Sequence, residues 1–339
     1  TEIYTLSLHD ALPILKELKE RYGDKRRTDI EYNAEDFIPE DFYADDDMII
    51  TISYLGYIKR TPLSDFKTQG RGGIGSRGGA TREEDFIEHM FVASMHSTLL
   101  LFTRNGKCYW LKVYQIPEGS RTSKGRAIQN ILNISNEDKV LAYIRVKTLE
   151  DQDFINNNYI ILATRKGIIK KTTLAAYSRP RLNGLNAITI KEDDELLEAR
   201  RTSGSHEIMM AVKSGKAIRF NESIVRPIGR TASGVKGVRL GNEADEVIGM
   251  ICVNDPEDDV LVLSENGFGK RSSLSDYPIT NRGGKGVKTI NVTEKTGKLI
   301  AIKNVSNDND LMIITQTGLT IRVADRKSTR LNSSHVSQS

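Results

Sequence analysis

Six times along the chain a short apolar run, a turn ending in glycine and a strand mixing apolar with basic residues follow one another. The copies read MIITISYLGYIKRTPL around Gly56, TLLLFTRNGKCYWLKV around Gly106 and YIILATRKGIIKKTTL around Gly167. The next three are EIMMAVKSGKAIRFNE around Gly215, DVLVLSENGFGKRSSL around Gly267 and DLMIITQTGLTIRVAD around Gly318. Successive glycines stand 50, 61, 48, 52 and 51 residues apart, a period that marks a repeat architecture. Each copy predicts a β-hairpin, because Asn-Gly, Lys-Gly, Ser-Gly or Thr-Gly supplies a residue that tolerates positive φ between two strand-forming runs. Apolar runs at 91–94, 140–144, 247–251 and 299–302 predict further strands between the hairpins. About four strands per repeat is the content of a propeller blade. The basic residues after each glycine suggest a strand with one face buried and the other toward solvent or a ligand.

A second periodicity runs in phase with the first. About nineteen residues after a hairpin glycine, a glycine turn flanked by Lys or Arg returns. It reads Thr122-Ser123-Lys124-Gly125-Arg126, then Arg181-Leu182-Asn183-Gly184-Leu185-Asn186, the weakest copy. It returns as Ala232-Ser233-Gly234-Val235-Lys236-Gly237 and Asn281-Arg282-Gly283-Gly284-Lys285-Gly286. In the first repeat the place is held by 68–79, TQGRGGIGSRGG, with six glycines and two arginines. Gly70, Gly72 and Gly75 match G-x-G-x-x-G, but a dinucleotide site needs a strand before the glycines and a helix after them, and here more Gly, Ser and Arg follow. No GKS or GKT follows either. Glycines that admit a close backbone approach, beside Lys and Arg, suit a phosphate backbone instead.

Composition narrows the reading. The chain has 339 residues, 38% of them hydrophobic, and a formal net charge of +4. From Glu31 to Asp47 there are eight acids and no basic residue, whereas from Gly56 to Arg82 there are six basic residues and one acid. The basic stretch fits a polyanionic partner, and the acidic one a solvated linker. Asp45-Asp46-Asp47 in that linker is read as solvated, not as a metal site. No apolar run approaches the roughly 20 residues of a membrane helix. Cys108 and Cys252 lack a CxxC partner and suit a reducing cytoplasm. None of the five histidines shows metal-ligand spacing. Aromatic content of 6%, with Trp110 the only tryptophan, disfavours a stacking platform for single strands.

On these turns the sequence resembles the C-terminal domain of the DNA gyrase A subunit over roughly 15–322. Gln69-Gly70-Arg71-Gly72-Gly73-Ile74-Gly75 is similar to the family's Q-R-R-G-G-K-G box, with Gly70 in place of Arg and Ile74 in place of Lys. The stretch from Glu83 to Ile128 also looks like this family. The resemblance implies an all-β fold, a six-bladed β-pinwheel whose last blade is incomplete here, preceded by a short helix. It implies double-stranded DNA bent around a basic rim, with Lys59, Arg60, Arg77, Lys124, Arg126, Lys170, Lys171, Arg179, Arg181, Arg219, Arg230, Lys236, Lys270, Arg271, Arg282 and Lys285 as rim candidates beside the box. The B subunit of gyrase and a second A subunit would be partners through regions outside this chain, in a cytoplasmic, nucleoid-associated enzyme. ATP and Mg²⁺ would be bound elsewhere, with no cofactor or metal in this chain. No tyrosine here stands in the context of a strand-cleaving nucleophile, so the fragment alone is expected to be inactive. Domain boundaries are expected at 15–30 for the end of a helix, 31–47 for the linker and 48–325 for the pinwheel. Residues 1–14 and 326–339 read as non-native extensions resembling translated adapter sequence. The alternatives are the equivalent domain in the A subunit of topoisomerase IV, a kelch-like protein-interaction propeller, which should carry aromatic and acidic loops, and, more weakly, an RNA-binding RGG segment, which would lack the hairpins.

Overall fold

The computed structural model describes residues 8–25, 27–28, 39–65, 85–120, 122–135, 137–253, 255–306, 310–314 and 320–324. The chain divides into two compact units, Thr1–Phe42 and Tyr43–Ser339. In the first, a helix spans Leu8–Tyr22 with Pro13 inside it. The sequence reading placed a boundary at 14/15, but a single helix runs across it. Gly23 closes the helix by donating its N–H to the Lys19 carbonyl at 2.9 Å. Lys19 and Arg21 in the last turn suit the negative end of the helix dipole.

The second unit is a series of antiparallel sheets. The first has the strand order Ile87–Ser94, Asp47–Ser53, Tyr57–Pro62, Arg126–Ala127. The second runs Val140–Val146, Thr98–Thr103, Lys107–Lys112, Leu185–Asn186, and the third Leu196–Thr202, Tyr159–Thr164, Ile168–Thr173, Val235–Lys236. The fourth is Val247–Val253, Glu207–Val212, Lys216–Asn221, Val287–Lys288. The fifth has three strands among the described residues, Leu299–Val305, Asp259–Ser264 and Gly269–Ser273, and Asp310–Ile314 pairs with Thr320–Ala324 as a further hairpin. This is an all-β, propeller-like fold with five sheets of blade size; the six blades expected from the sequence exceed what these sheets amount to.

Each predicted hairpin forms, and the runs at 91–94, 140–144, 247–251 and 299–302 lie in the third strands. The fourth strand is not local. Arg126–Ala127 follows the second hairpin yet pairs with Tyr57 and Ile58 of the first sheet. Leu185–Asn186, Val235–Lys236 and Val287–Lys288 likewise pair with the hairpin of the preceding repeat. Every repeat after the first therefore completes its predecessor's sheet, as far as the fourth.

The apolar strands have two buried faces. In Thr98–Thr103, Leu99 and Leu101 join Ile50, Ile52, Tyr109 and Leu111 in one core, while Leu100 and Phe102 join Ile160, Leu162 and Tyr177 in the next. Two further cores fill the gaps between sheets three and four and between four and five. Strands buried on both faces read as unbroken apolar runs, and each fully buried large side chain contributes roughly 1.5–3 kcal/mol.

Four hairpin turns are capped in the same way. Asp85, Asp138, Asp194 and Asp245 accept the N–H of Leu55, Asn105, Lys166 and Ser214 at 2.9–3.1 Å. The third strands of the second to fifth sheets lie against one another in sequence at a hub. There His89 of the first sheet packs against the Tyr143 ring at 5.0 Å, and the charges of Lys303, Arg200 and Lys139 act on its imidazole.

Candidate nucleic-acid interface

Away from the hub, the outer edge of each of the first four hairpins meets the loop sent back by the following repeat. The loop first runs parallel to the basic strand, at Arg60 beside Glu118, Lys171 beside Pro227 and Arg219 beside Ile279. It then leaves that strand in the predicted glycine turn and returns antiparallel as the short fourth strand. Each turn is thus an excursion with both feet on one neighbouring strand.

The glycines serve this exchange. Gly286 has φ +71°, and a Cβ there would lie 2.4 Å from the Ala217 carbonyl oxygen. Gly234 has φ +93°, and its Cβ would lie 2.6 Å from the Ile169 oxygen. Gly125 and Gly184 hold the same place in their turns. The close approach that the sequence reading attributed to a phosphate is made, at these positions, to the backbone of the preceding blade.

Successive loops are joined to one another. Asn133 Nδ2 donates to Asn183 Oδ1 at 3.0 Å. Thr189 Oγ1 donates to the Thr231 carbonyl at 2.6 Å. Further along, Arg282 donates to the Lys236 carbonyl at 3.1 Å, and the Gly283 N–H to the Gly237 carbonyl at 2.6 Å. The result is a connected band of exchanged loops. No acid occurs within 119–136, 178–191, 225–242 or 277–293, whereas Asp193, Asp194, Glu195, Glu243, Asp245 and Glu246 crowd one pocket by the hairpin turns. The band is thus free of acids, while the carboxylates at the turns share their pocket with Arg165 and Lys166.

The predicted rim cations fall into three groups. Lys124, Arg126, Arg179, Arg181, Lys236, Lys270, Arg282 and Lys285 are exposed. Arg230 and Arg271 are half-buried. Lys59, Arg60, Lys170 and Lys171 are buried, and Arg219 has only 10% of its side chain accessible. As rim contacts these five are corrected by the structure, because each is held by protein acceptors. Lys59 Nζ donates to the Ser120 and Ser123 carbonyls at 3.0 and 2.8 Å. Arg60 donates to the Tyr114 carbonyl and to Glu118 at 3.3 Å. Lys170 Nζ donates to the carbonyls of Ala187, at 2.7 Å, and of Arg230. Lys171 pairs with Glu222 at 2.8 Å. Arg219 reaches the Leu274 and Tyr277 carbonyls at 2.7 and 2.9 Å and Glu207 at 2.7 Å. Burial, with the Arg230 charge, pulls the Lys170 ammonium down to about 8, and burial lowers that of Lys59 as well.

One strand position recurs as a staple between blades. Arg60, Trp110, Lys171, Arg219 and Arg271 stand in register, opposite Ile50, Leu100, Ile161, Met209 and Leu261. Trp110 Nε1 donates to the Tyr177 carbonyl at 2.9 Å, and Arg60 and Arg219 likewise reach the short 3₁₀ turn of the next repeat. The sequence-predicted box, Gln69 to Gly75, and Arg77 lie outside the described residues. Four exposed cations on the loops, among the described residues, escaped the sequence reading, Lys191, Arg226, Arg239 and Lys288. The recurring Gly-Val-Lys of 234–236 and 286–288 would have revealed Lys288. Asp45, left as a solvated linker acid, accepts the His96 N–H at 3.0 Å, which with lesser contributions from Ser94, His96 and Lys147 holds its carboxyl below the usual range.

Residues 47–94, 97–147, 158–203, 206–254 and 258–306 match the family described as DNA gyrase C-terminal domain, beta-propeller. The curated DNA gyrase A subunit of Staphylococcus epidermidis (strain ATCC 12228 / FDA PCI 1200) is 43% identical over 311 residues, 91% of this chain and 34% of that protein. The same identity and coverage hold for the DNA gyrase A subunit of Staphylococcus aureus (strain NCTC 8325 / PS 47). The chain thus spans about a third of the length of the curated relatives it matches. Among solved structures, the C-terminal domain of DNA topoisomerase IV aligns at TM-score 0.67 and 26% identity, covering 85% of this chain and 87% of that one. A DNA gyrase A C-terminal domain aligns at TM-score 0.66 and 24% identity, over 82% of this chain and 89% of that one, a likeness of fold.

Proposed function

Since the chain belongs to the family of DNA gyrase C-terminal domains, we propose that it wraps double-stranded DNA around the band of exchanged loops. The observation that carries this reading is the band itself, with connected, acid-free loops studded with exposed Lys and Arg at one place per blade. Wrapping asks for spaced phosphate contacts along a curved edge and no base readout. Bending a duplex smoothly costs several kcal/mol, which many cationic contacts together offset.

The proposed contacts are Lys124, Arg126, Arg179, Arg181, Arg230, Lys236, Lys270, Arg282 and Lys285, joined by Arg226, Arg239 and Lys288. Gln69 to Gly75 and Arg77 complete the path as the box of the first repeat. The pinwheel, 48–325, closes with a sixth blade begun by the hairpin at 310–324, which stands in phase with the other five. In the holoenzyme it presents a chirally wrapped segment for ATP-dependent negative supercoiling, with the B subunit of gyrase, a second A subunit, ATP and Mg²⁺ engaged outside this chain. The box-like loop favours gyrase over topoisomerase IV as the parent enzyme.

The test uses the whole chain with relaxed circular plasmid, treated with a type I topoisomerase across a salt series. A shift in linking number, with affinity falling steeply as salt rises, is expected. Binding without a topological shift refutes wrapping, and no binding at low salt refutes the DNA reading altogether.

A further inference from the structure

Two of the exchanged loops are built around a buried ammonium, which determines which way their backbone faces. In the loop 228–234 four consecutive or near-consecutive carbonyls are taken by donors from beneath and beside it. Thr172 Oγ1 donates to Ile228 O at 3.1 Å, and Lys170 Nζ to Arg230 O. Thr189 donates through Oγ1 to Thr231 O at 2.6 Å and through its N–H to Ala232 O at 3.3 Å. Of the N–H groups, that of Ala232 donates to Gly229 O at 3.2 Å. Those of Arg230, Thr231, Ser233 and Gly234 have no acceptor among the described residues. A backbone group without a protein partner must face water or a ligand. The loop therefore turns its acceptors inward and leaves four donors to water or a ligand, the groups with which a backbone turn binds an anion.

The carbonyls of Gly119, Ser120 and Ser123 in another exchanged loop are held in the same way. Thr61 Oγ1 donates to Gly119 O at 2.8 Å, and Lys59 Nζ to Ser120 O and Ser123 O. Lys59-Arg60-Thr61 and Lys170-Lys171-Thr172 share one pattern at one register. The alternate blades differ, with Tyr109 and Leu111 or Ile218 and Phe220 at the same places, so those loops rest on apolar side chains.

We propose that the loop 228–234 is a seat for a phosphodiester group held by backbone N–H, and that Lys170 is its positioning residue, organising the loop from within and never touching the DNA. The proposal rests on the DNA-wrapping reading and assigns one of its contacts to backbone donors instead of surface charge.

The experiment compares the full chain with Lys170→Met, Lys170→Arg, Thr189→Val and Lys236→Ala. Binding to a linear mixed-sequence duplex is followed by anisotropy across a salt series, and amide exchange of 229–234 is measured without DNA. Lys170→Met is expected to speed exchange of the Ala232 N–H, the one bonded within the loop, in the free protein and to weaken binding at every salt concentration with the salt slope unchanged, because a neutral backbone donor releases no counterion. Lys170→Arg restores part of both effects. Thr189→Val, which removes one hydroxyl donor at an exposed position, speeds exchange at Ala232 and weakens binding less, and it serves if Lys170→Met does not fold. Lys236→Ala lowers the slope by about one unit with exchange in the free protein unchanged.

Unchanged affinity in Lys170→Met and Thr189→Val, despite faster exchange at Ala232, overturns the seat. A slope lowered by about one unit with unchanged exchange makes Lys170 a direct contact and overturns its positioning role. Failure of the unmodified chain to bind the duplex defeats the wrapping reading itself, and the seat with it.

Discussion

Lys171→Met separates a cation that builds the fold from one that meets DNA. Lys171 has 5% of its side chain accessible and Glu222 none, and their charged atoms lie 2.8 Å apart. Glu222 also accepts from Thr202 Oγ1 at 2.7 Å and from the His206 N–H at 3.1 Å. The ammonium lies 4.2 Å from the centre of the Tyr159 ring. Methionine fills the volume but leaves the Glu222 carboxylate buried with two neutral donors. Removing one partner of a buried pair costs about 3–5 kcal/mol. For a domain of this size about 2 °C of Tm goes with each kcal/mol, so a fall of roughly 6–10 °C is expected. The double variant Lys171→Met/Glu222→Gln should recover most of that loss, because the amide oxygen still accepts from the His206 N–H, the amide N–H donates to the Thr202 hydroxyl, and the buried charge is gone. Denaturation followed by circular dichroism reads the stability, and duplex binding across a salt series reads the contacts. The salt slope of Lys171→Met should stay that of the unmodified chain. A slope lowered by about one unit, with stability intact, would show that Lys171 reaches a phosphate and that the buried pair has been misread.

Three further outcomes follow from the same contacts. Gly286→Ala places a Cβ 2.4 Å from the Ala217 oxygen at φ +71°; a loss of about 1–3 kcal/mol and faster amide exchange at 287–288 are expected, whereas unchanged protection would refute the close approach. Burial, and then the cations of Lys303, Arg200 and Lys139, hold His89 down at about 4, against 6.5 for a free imidazole. Between pH 6.5 and 4 the unfolded chain takes up a proton that the folded one refuses, so stability falls across that window as pH drops, by roughly 3 kcal/mol. His89→Gln should flatten that part of the urea-midpoint profile, and an unaltered profile would refute the assignment. Trp110→Phe removes the donor to the Tyr177 carbonyl and should cost about 1–3 kcal/mol, read from the urea midpoint, with a DNA salt slope equal to that of the unmodified chain.

Much of the architecture was legible along the chain because its signals are local. A glycine between two strand-forming runs, after Leu in the first copy and after Asn, Lys or Ser in the next four, determines a hairpin, and every one of the first five formed. The third strands were found where they were apolar; Leu196–Thr202 was passed over because Glu198, Arg200 and Arg201 hide its alternation. The glycine turns were located correctly but half of their purpose was not, since the strand that each approaches belongs to the preceding repeat. Among the rim cations the sequence could not separate Lys236, which is exposed, from Lys170, which is completely buried. Both are lysines in a basic, glycine-punctuated context, and no periodicity distinguishes them.

The amino-acid sequence alone determined the repeat, the hairpins and the acid-free loops, because turn chemistry, strand propensity and charge act over a few residues. Tertiary structure decided which sheet each fourth strand completes and which cations are left to meet a phosphate. The acceptors that bury Lys59 lie 61 and 64 residues away in Ser120 and Ser123, and the Arg230 carbonyl that holds Lys170 is 60 residues distant. A charged side chain is buried only where such acceptors compensate its desolvation, and their arrival depends on the exchange between blades.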